Sequence, residues 1–290
     1  MISVITPTYN RGYILNKAYN SLLAQTDKDF EWLIIDDGST DDTKIKVNEY
    51  ISENKINISY HAKNNGGKHT ALNLGIQKAK GNLILILDSD DYLTNDAIET
   101  AKKYYEKYAD NKDIAGISFL RRIKNPVYEA KEFTECIANP IDFKYNNGFL
   151  SDMCEVFRRD VLLKYPFPVF ENERFLSEAV VWNEVALKYD MVYVPIEIYC
   201  TEYLEDGLSR NWLKSVIKCP LGARANCISF MNKRFKFSIR IKNCIMYDIY
   251  SIIAKEKVLK NSKMKFFSGL FYIPCFIIAL ILKTKYKVKE

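Results

Sequence analysis

The sequence has little histidine, and its cysteines lack the spacing of a metal or redox site. Its two histidines are His61 and His69, and none of its seven cysteines belongs to a CxxC pair. We therefore expect no histidine-built or cysteine-built metal centre, and we interpret both histidines as structural. The N-terminus also lacks the basic region and apolar core of a secretion signal. Reduced core cysteines and no such signal predict a cytoplasmic location.

Charge is distributed unevenly along a chain that is apolar enough to build a sizeable core. The 290 residues are 48% hydrophobic and carry a net charge of +6. Residues 211–290 contain 17 Lys and Arg against 3 Asp and Glu, whereas residues 1–210 contain 25 against 33. This division predicts an acidic domain over residues 1–210 and a basic helical region over residues 211–290, with different tasks.

The chain is organised around an apolar run that ends in acids. Five aliphatic residues at 83–87 are followed by Asp88, Ser89, Asp90 and Asp91. Such a run is typical of a central strand of a parallel sheet that is covered on both faces. Ligands bind at the carboxyl end of such strands, where two closely spaced acids favour a divalent cation. A solvated acidic turn is the alternative interpretation.

Three further strands with the same order of elements are predicted before this one. The strands are expected at residues 2–6, 32–35, 56–61 and 83–87, and the polar segments that follow them lie at 7–10, 36–42, 63–68 and 88–91. Helical periodicity between them predicts parallel strands with right-handed crossovers. We therefore expect an α/β fold with a mostly parallel, Rossmann-like sheet flanked by helices, and four polar loops along one edge.

The four polar segments together resemble a known family. They read TPTYNR at residues 6–11, DDGSTD at 36–41, NGG at 65–67 with Ala71 and NLG at 73–75, and DSDD at 88–91. In this order they are similar to the signatures of family-2 nucleotide-sugar glycosyltransferases, which have the GT-A fold. The resemblance covers about residues 1–210, with a nucleotide-binding half over 1–110 and an acceptor half over 111–210. It implies a metal-dependent, inverting transferase.

The resemblance assigns roles to residues in the four loops. Tyr9 would stack on the nucleotide base, Asp37 would accept a hydrogen bond from the base ring, Asp88 would contact the ribose, and Asp90 would ligate Mn²⁺ or Mg²⁺. The other nucleotide contacts are expected at Thr6, Pro7, Asn65, Gly66, Lys68 and Ser89. Alternatively, Tyr9 is a half-buried loop tyrosine and Lys68 is a surface lysine. The sequence does not separate Asp36 from Asp37, and Asp91 is expected to hold its loop or cap a turn.

Recognition of the sugar or the acceptor is expected in the second half of the domain. Residues 148–158 are predicted to form a strand, in which Asp152 and Glu155 would contact the donor sugar or the acceptor. They would otherwise pair with Arg158 and Arg159. Asp206 lies in a segment, residues 203–209, that resembles a loop following a strand in some family members. A simple glycine turn is the alternative there.

The base that deprotonates the acceptor is predicted where the sequence departs from the family pattern. Family members commonly carry a Glu-Asp pair at a helix entry, and the second acid serves as the base. Here the pair is Glu178-Ala179, so Glu178 is the candidate, followed by Glu173 and Glu184. Glu178 would otherwise be a glutamate that is stabilised at a helix N-terminus by the helix dipole.

The basic C-terminal region ends in a long uncharged run. Residues 266–282 carry no charge and are flanked by lysines, and their length lies at the lower limit for a spanning helix. We predict peripheral or monotopic attachment to the inner face of the cell membrane. The alternative is a helix buried against the catalytic domain or a neighbouring subunit, and a homo-oligomer stays open. No nucleic-acid-binding motif accompanies the lysines, so nucleic acid is not an expected partner.

The combined expectation is transfer of a sugar from a nucleotide-sugar, most simply a UDP-sugar, to a hydroxyl of a cell-surface glycan or lipid-linked precursor. Two other classes remain. A non-catalytic nucleotide- or glycan-binding scaffold is kept open by Ala179. A sugar nucleotidyltransferase is disfavoured because such enzymes usually carry a glycine-rich basic loop after the first strand, where this chain has residues 7–10, PTYN.

Overall fold

The computed structural model describes residues 1–123, 132–149, 151–201, 212–257 and 265–286, with side chains from residue 270 onward in the last range. The chain divides into two compact units. The first contains residues 1–166 and 185–203, and the second contains residues 167–184 and 204–290. The domain boundary that the sequence predicts near residue 210 stays a prediction.

Among the described residues, nine strands of the first unit form a single sheet. They are β1 (Ile2–Thr8), β2 (Phe30–Asp36), β3 (Ile58–Ala62), β4 (Leu83–Ile86), β5 (Tyr92–Leu93), β6 (Ile114–Ile123), β7 (Cys136–Ala138), β8 (Met153–Arg158) and β9 (Asp190–Thr201). The order is β3-β2-β1-β4-β8-β6-β9-β5, and β7 pairs with β9. Strands β5, β7 and β8 run opposite to the other six. The predicted mostly parallel α/β architecture is confirmed.

Helices connect these strands. The described helices of the first unit are α1 (Asn16–Leu23), α2 (Thr43–Glu53), α3 (Lys68–Lys78), α4 (Ala97–Tyr108), a π-helix (Ile141–Asn146) and α5 (Arg159–Leu162). Helix α3 lies very close to β1, because a Cβ atom at Gly75 would be only 2.6 Å from Cγ2 of Ile5. This close approach explains why a glycine interrupts the apolar face of α3.

Strand β4 occupies the centre of the sheet, between β1 and β8. Leu83, Ile84, Leu85 and Leu87 are at most 2% exposed, so the aliphatic run is buried as predicted. The strand that the sequence predicts from residue 148 begins instead at Met153. Gly148 has a φ of +69°, a left-handed conformation that a strand does not continue through.

The second unit is helical and has its own core. Helix α6 (Ala179–Ala186) begins in the second unit. The other helices of this unit are α7 (Trp212–Lys218), α8 (Pro220–Ser229), α9 (Phe237–Ile253) and α10 (Lys265–Tyr286). The side chains of Ile217, Cys244, Tyr247, Cys275 and Ala279 are fully buried there. In the part of the chain that the structure describes, no helix combines the length and the apolar character needed to cross a membrane.

Candidate functional site

The loops after β1 and β2 are joined by backbone and side-chain hydrogen bonds. The backbone N–H of Asp37 donates to the carbonyl of Thr8 over 2.9 Å. The backbone N–H of Asn10 donates to the Ser39 hydroxyl over 2.9 Å, and the Asn10 side chain accepts from the Thr40 N–H over 2.8 Å. These bonds hold the first two polar loops side by side at the carboxyl ends of their strands.

Asp37 also connects this pair to the loop after β3. Its carboxylate accepts hydrogen bonds from the N–H groups of Gly66, at 2.9 Å, and Gly67, at 2.7 Å, and from the Lys63 ammonium, at 2.6 Å. Gly67 has a φ of +93°, a conformation that favours glycine. Asp37 therefore connects the loop after β2 to the loop after β3. Its contact with a nucleotide base remains a prediction.

Asp36 and Asp37 have different partners, which the sequence does not distinguish. The Asp36 carboxylate accepts from the Ser39 N–H over 2.7 Å and from the Tyr60 hydroxyl. Both acids are almost fully buried. Asp36 thus connects the turn that follows β2 to strand β3, whereas Asp37 holds the glycine-rich loop that follows β3.

Lys68 and Asp88 connect the third loop to the fourth. Lys68 is the first residue of α3, and its ammonium lies 2.6 Å from a carboxylate oxygen of Asp88. The side chains are 28% and 27% exposed, so the pair can be reached from solvent. The sequence predicts a nucleotide contact for Lys68 and a ribose contact for Asp88, and the structure brings the two side chains together.

The three acids after β4 have different electrostatic environments. Burial alone would raise the pKa of Asp88, but the positive charges of Lys68 and Arg121 outweigh it and lower this pKa. Burial, and then the negative charge of Asp88, raises the pKa of Asp90. The same two causes raise the pKa of Asp91 to about 7. Negative charge is thus stabilised at Asp88 and opposed at its neighbours.

Sequence reasoning missed a cluster on β6 and β9 that supports these acids. The Tyr199 hydroxyl accepts from the Asp88 backbone N–H over 3.0 Å and donates to the Asp91 carboxylate over 2.8 Å. The Thr201 hydroxyl donates to the same carboxylate over 3.2 Å. The Arg121 guanidinium carbon lies 4.2 Å from the centre of the Tyr199 ring. Asp91 therefore holds its loop through hydrogen bonds, one of the two roles expected for it.

The remaining predicted nucleotide residues around β1 and β4 differ in exposure. Tyr9 is 47% exposed directly after β1, which leaves its ring accessible for stacking. Thr6 and Pro7 are buried within β1, and the Thr6 hydroxyl accepts from the indole N–H of Trp32 over 2.8 Å. Ser89 is buried as well. The side chain of Thr6 therefore has a structural partner, and a contact of these residues with a ligand stays a prediction.

Glu155 pairs with a lysine that the sequence did not single out. Its carboxylate lies 3.0 Å from the Lys144 ammonium, so the alternative pairing with Arg158 or Arg159 is wrong. Arg158 instead binds Asp160 over 3.0 Å, and Arg159 donates to two backbone carbonyls of α3. The reason is geometric, because the π-helix brings Lys144 to β8.

The two other predicted sugar or acceptor residues are less defined by the structure. Asp152 is exposed directly before β8. Asp206 lies outside the described residues. Their contacts with donor or acceptor remain predictions.

The three candidate bases all lie in residues 167–184 of the second unit. Glu178 directly precedes α6, and its carbonyl accepts from two backbone N–H groups of that helix over 3.0 Å each. Glu173 is bound by the backbone N–H groups of Leu221 and Gly222, both at 2.7 Å, at the start of α8. Burial raises its pKa. Glu173 is thus a helix cap, Glu184 is exposed in α6, and the role of Glu178 as base remains a prediction.

Comparison with models of protein families assigns the chain to a family. Residues 3–165 match the family described as Glycosyl transferase family 2, which is more than half of the chain. The chain belongs to glycosyltransferase family 2.

Curated glycosyltransferases align over different parts of the chain. An uncharacterized glycosyltransferase of Rickettsia conorii is 48% identical over 106 residues, which are 37% of this chain and 17% of the relative. Glycosyltransferase GlyG of Streptococcus pneumoniae is 26% identical over 246 residues, which are 79% of this chain and 81% of GlyG. The chain thus spans less than a fifth of the Rickettsia protein but most of GlyG.

Solved structures of glycosyltransferases share the fold over nearly the whole chain. Residues 1–349 of S. aureus TarS, in complex with UDP-GlcNAc, superpose with a TM-score of 0.66 at 20% identity and cover 96% of this chain and 79% of that one. The mannosyltransferase PcManGT of Pyrobaculum calidifontis, in complex with GDP-Man and Mn²⁺, gives a TM-score of 0.60 at 16% identity, covering 99% and 83%. These similarities confirm the GT-A fold.

The acids of this family-2 chain fit a metal ion whose ligands come partly from the protein and partly from a bound nucleotide. Among the described residues, no three His, Cys, Asp or Glu side chains are placed to hold a metal by themselves. Mg²⁺ is commonly bound by one or two carboxylates together with substrate phosphates and water. Asp90 is a hard oxygen donor whose negative charge is opposed by burial and by Asp88, and a cation would relieve this opposition. The donor set therefore fits such a shared metal.

Proposed function

We propose that this family-2 glycosyltransferase moves a sugar from a UDP-sugar to a hydroxyl of a glycan or lipid-linked precursor, with inversion and with Mn²⁺ or Mg²⁺. The observation that carries the proposal is the connected network of four loops at the carboxyl edge of the parallel strands. Its accessible members are an aromatic ring at Tyr9, a cation at Lys68 and acids at Asp88 and Asp90. A nucleoside diphosphate offers a flat base, a hydroxylated ribose and negative charge, which these groups complement.

Binding of the nucleotide would proceed through side chains of the first unit. The exposed ring of Tyr9 stacks on the base, and Asp37, already fixed by Gly66 and Gly67, faces the ring N–H. Asp88 accepts from the ribose hydroxyls, which suits an acid whose pKa is lowered and which therefore stays ionised. Lys68 attracts the diphosphate from its position beside Asp88. The UDP-GlcNAc complex of TarS supports uracil as the base.

Asp90 would hold the divalent metal, and Asp88 would add negative charge beside it. When bound, the metal neutralises charge on the leaving diphosphate. The Mn²⁺ in the PcManGT complex supports this choice of ion. Tyr199 keeps the loop in place through Asp88 and Asp91, so that Asp90 is presented from a fixed backbone.

Glu178 would remove the proton of the acceptor hydroxyl. Inversion requires a carboxylate on the face of the sugar opposite the leaving group, where it takes the proton as the acceptor oxygen attacks. Glu173 is less suited, because both of its carboxylate oxygens accept backbone hydrogen bonds from α8. This leaves Glu178 as the preferred base although Ala179 replaces the acid expected beside it.

The proposal is tested by release of nucleoside diphosphate from a panel of UDP- and GDP-sugars, with Mn²⁺, with Mg²⁺ and with a chelator. We expect release from a UDP-sugar that needs the metal and that increases when a hydroxyl acceptor is added. Binding of UDP without turnover of any donor would contradict the enzyme and favour the scaffold. Synthesis of a nucleotide-sugar from a sugar phosphate would favour the nucleotidyltransferase.

A further inference from the structure

Helix α10 is packed on one side only among the residues that the structure describes. Cys275 and Ala279, one turn apart, are fully buried in the core of the second unit. The Cys275 thiol lies 3.7 Å from the carbonyl of Ile245 in α9, to which it donates. These contacts define the side of α10 that faces the protein.

The opposite side of α10 is apolar and exposed. At 3.6 residues per turn, Ile273 and Ile277 lie across the helix from Cys275 and Ala279. We define the α10 apolar face by five residues, with exposed fractions of 63%, 72%, 54%, 48% and 60%: Leu270, Ile273, Ile277, Leu280 and Ile281. Single exposed aliphatic side chains are ordinary on a protein surface, whereas a contiguous stripe over three turns marks an interaction site.

The charges next to this face are positive. No residue from 266 to 282 is charged, and Lys283 and Lys285 then follow at the C-terminal end of α10. By helical spacing these two lysines lie on either flank of the α10 apolar face. The sequence continues with Lys287 and Lys289, and residues 257–289 contain no acid. The surface that covers this face should therefore be apolar, with negative charge at its border.

We propose that the α10 apolar face binds the surface of a lipid bilayer that contains anionic headgroups. The helix lies along the interface, its isoleucines enter the boundary between headgroups and acyl chains, and Lys283 and Lys285 extend to lipid phosphates. A second copy of the chain would bring the same positive charge to the contact, whereas anionic lipid brings the opposite charge. This inference does not depend on the proposed sugar transfer.

The test measures partition of the full chain onto vesicles by flotation. The vesicles are phosphatidylcholine alone or phosphatidylcholine mixed with phosphatidylglycerol. The first variant is Ile273→Ser, Ile277→Ser and Ile281→Ser together. Its matched control replaces three exposed isoleucines of the first unit: Ile45→Ser, Ile51→Ser and Ile137→Ser. We expect the first variant to lower the partition coefficient at least about tenfold on the mixed vesicles, because three apolar side chains no longer enter the bilayer, and the control to leave it unchanged.

A second variant tests the electrostatic part. Lys283→Gln with Lys285→Gln should weaken binding to the mixed vesicles by about fivefold for each lysine. The loss should shrink at high salt, which screens the attraction. Wild-type protein that floats with neither kind of vesicle, or equally with both, would overturn the proposal. So would an isoleucine variant that binds as well as the wild type.

Light scattering and thermal denaturation distinguish the other outcomes. The substituted side chains are exposed, so both isoleucine variants should keep the wild-type Tm, whereas deletion of α10 would also remove Cys275 and Ala279 from the core. We expect the oligomeric state without lipid to be the same for wild type and variants. A wild-type dimer that the α10 substitutions convert to a monomer, with vesicle binding unchanged, would assign the face to a second copy and overturn the proposal.

Discussion

The two units of the chain use opposite kinds of surface. In the first unit, polar loops at the edge of the sheet bind one another through Asp37, Lys68, Asp88 and Tyr199. In the second unit, α10 buries one side and leaves an apolar, lysine-flanked side exposed. The polar edge is preorganised for a small charged ligand, whereas the exposed helix face is suited to an extended apolar surface. In the two proposals above, nucleotide binding is therefore assigned to the first unit and lipid binding to the second.

The charge distribution follows the same division. Residues 1–210 have an excess of acids and residues 211–290 have an excess of bases. Acids clustered after β4 need cations, supplied by Lys68 and Arg121 and, in the proposal, by a metal. The substitutions below test this comparison in order of decreasing expected effect.

Glu178 is the catalytic candidate that belongs to the second unit rather than the first. Glu178→Gln keeps the shape of the side chain but removes its basicity, so we expect transfer to fall by about 10² to 10⁴-fold. Nucleotide affinity, measured by calorimetry, should not change. The control is Glu171→Gln, an exposed glutamate of the same segment that has no proposed role in catalysis. An active Glu178→Gln beside an inactive Glu173→Gln would move the base and show that the helix entry was wrongly aligned.

Asp90 tests whether the metal belongs to the polar edge of the first unit. Asp90→Asn should lower metal-dependent turnover at least about 10²-fold, since a metal contributes several kcal/mol to charge stabilisation in such reactions. The far-ultraviolet circular dichroism should stay unchanged. Asp110→Asn, on the surface after α4, is the matched control and should keep full activity. Retention of most activity in Asp90→Asn would remove the metal assignment.

Tyr9 in the first unit and Trp212 in the second unit are aromatic residues of similar exposure, so their substitution compares the two units. Tyr9 is 47% exposed and Trp212 is 49% exposed. Tyr9→Ala should weaken UDP binding by about 1 to 3 kcal/mol through lost stacking, whereas Trp212→Ala should not affect it. Calorimetry measures both. Equal affinities of wild type and Tyr9→Ala would exclude stacking by this ring.

Tyr199 tests the support of the acidic loop. Tyr199→Phe removes the hydroxyl that joins Asp88 to Asp91 and should lower the free energy of unfolding by about 1 to 2 kcal/mol, because buried polar groups lose a partner. It should also weaken nucleotide binding. Tyr19→Phe, which removes a hydrogen bond to Glu53, is the control and should leave nucleotide binding intact. Denaturant titration and calorimetry check both, and identical nucleotide affinity in the two variants would argue against this support.

The sequence was sufficient for the parts of the fold that depend on local pattern. The aliphatic run before Asp88 predicts a buried central strand, because such a run is stable only when both faces of the sheet are covered. Polar segments after parallel strands must share an edge, which predicts the proximity of Asp37, Gly66 and Asp88. These inferences need the order of residues but no long-range contact.

Contacts between distant segments could not be predicted in this way. Tyr199 lies 111 positions from Asp88, and its place in β9 resembles that of any buried strand tyrosine. Arg121 lies beside Arg122 near the end of β6, a pattern that also fits a solvated strand end. The cap of α8 by Glu173 was missed for the same reason, because two segments separated by 48 positions have to meet.

The central claim is that the acidic edge of the first unit binds a nucleoside diphosphate together with a divalent metal. Thermal denaturation with UDP, with Mn²⁺ and with both tests it most directly, because a ligand that binds only the folded state contributes about 2.7 kcal/mol at a hundred times its Kd. We predict that UDP and Mn²⁺ together raise the Tm more than the sum of their separate effects, and that Asp90→Asn abolishes this excess. An equal UDP effect with and without metal, or no effect of UDP, would contradict the claim.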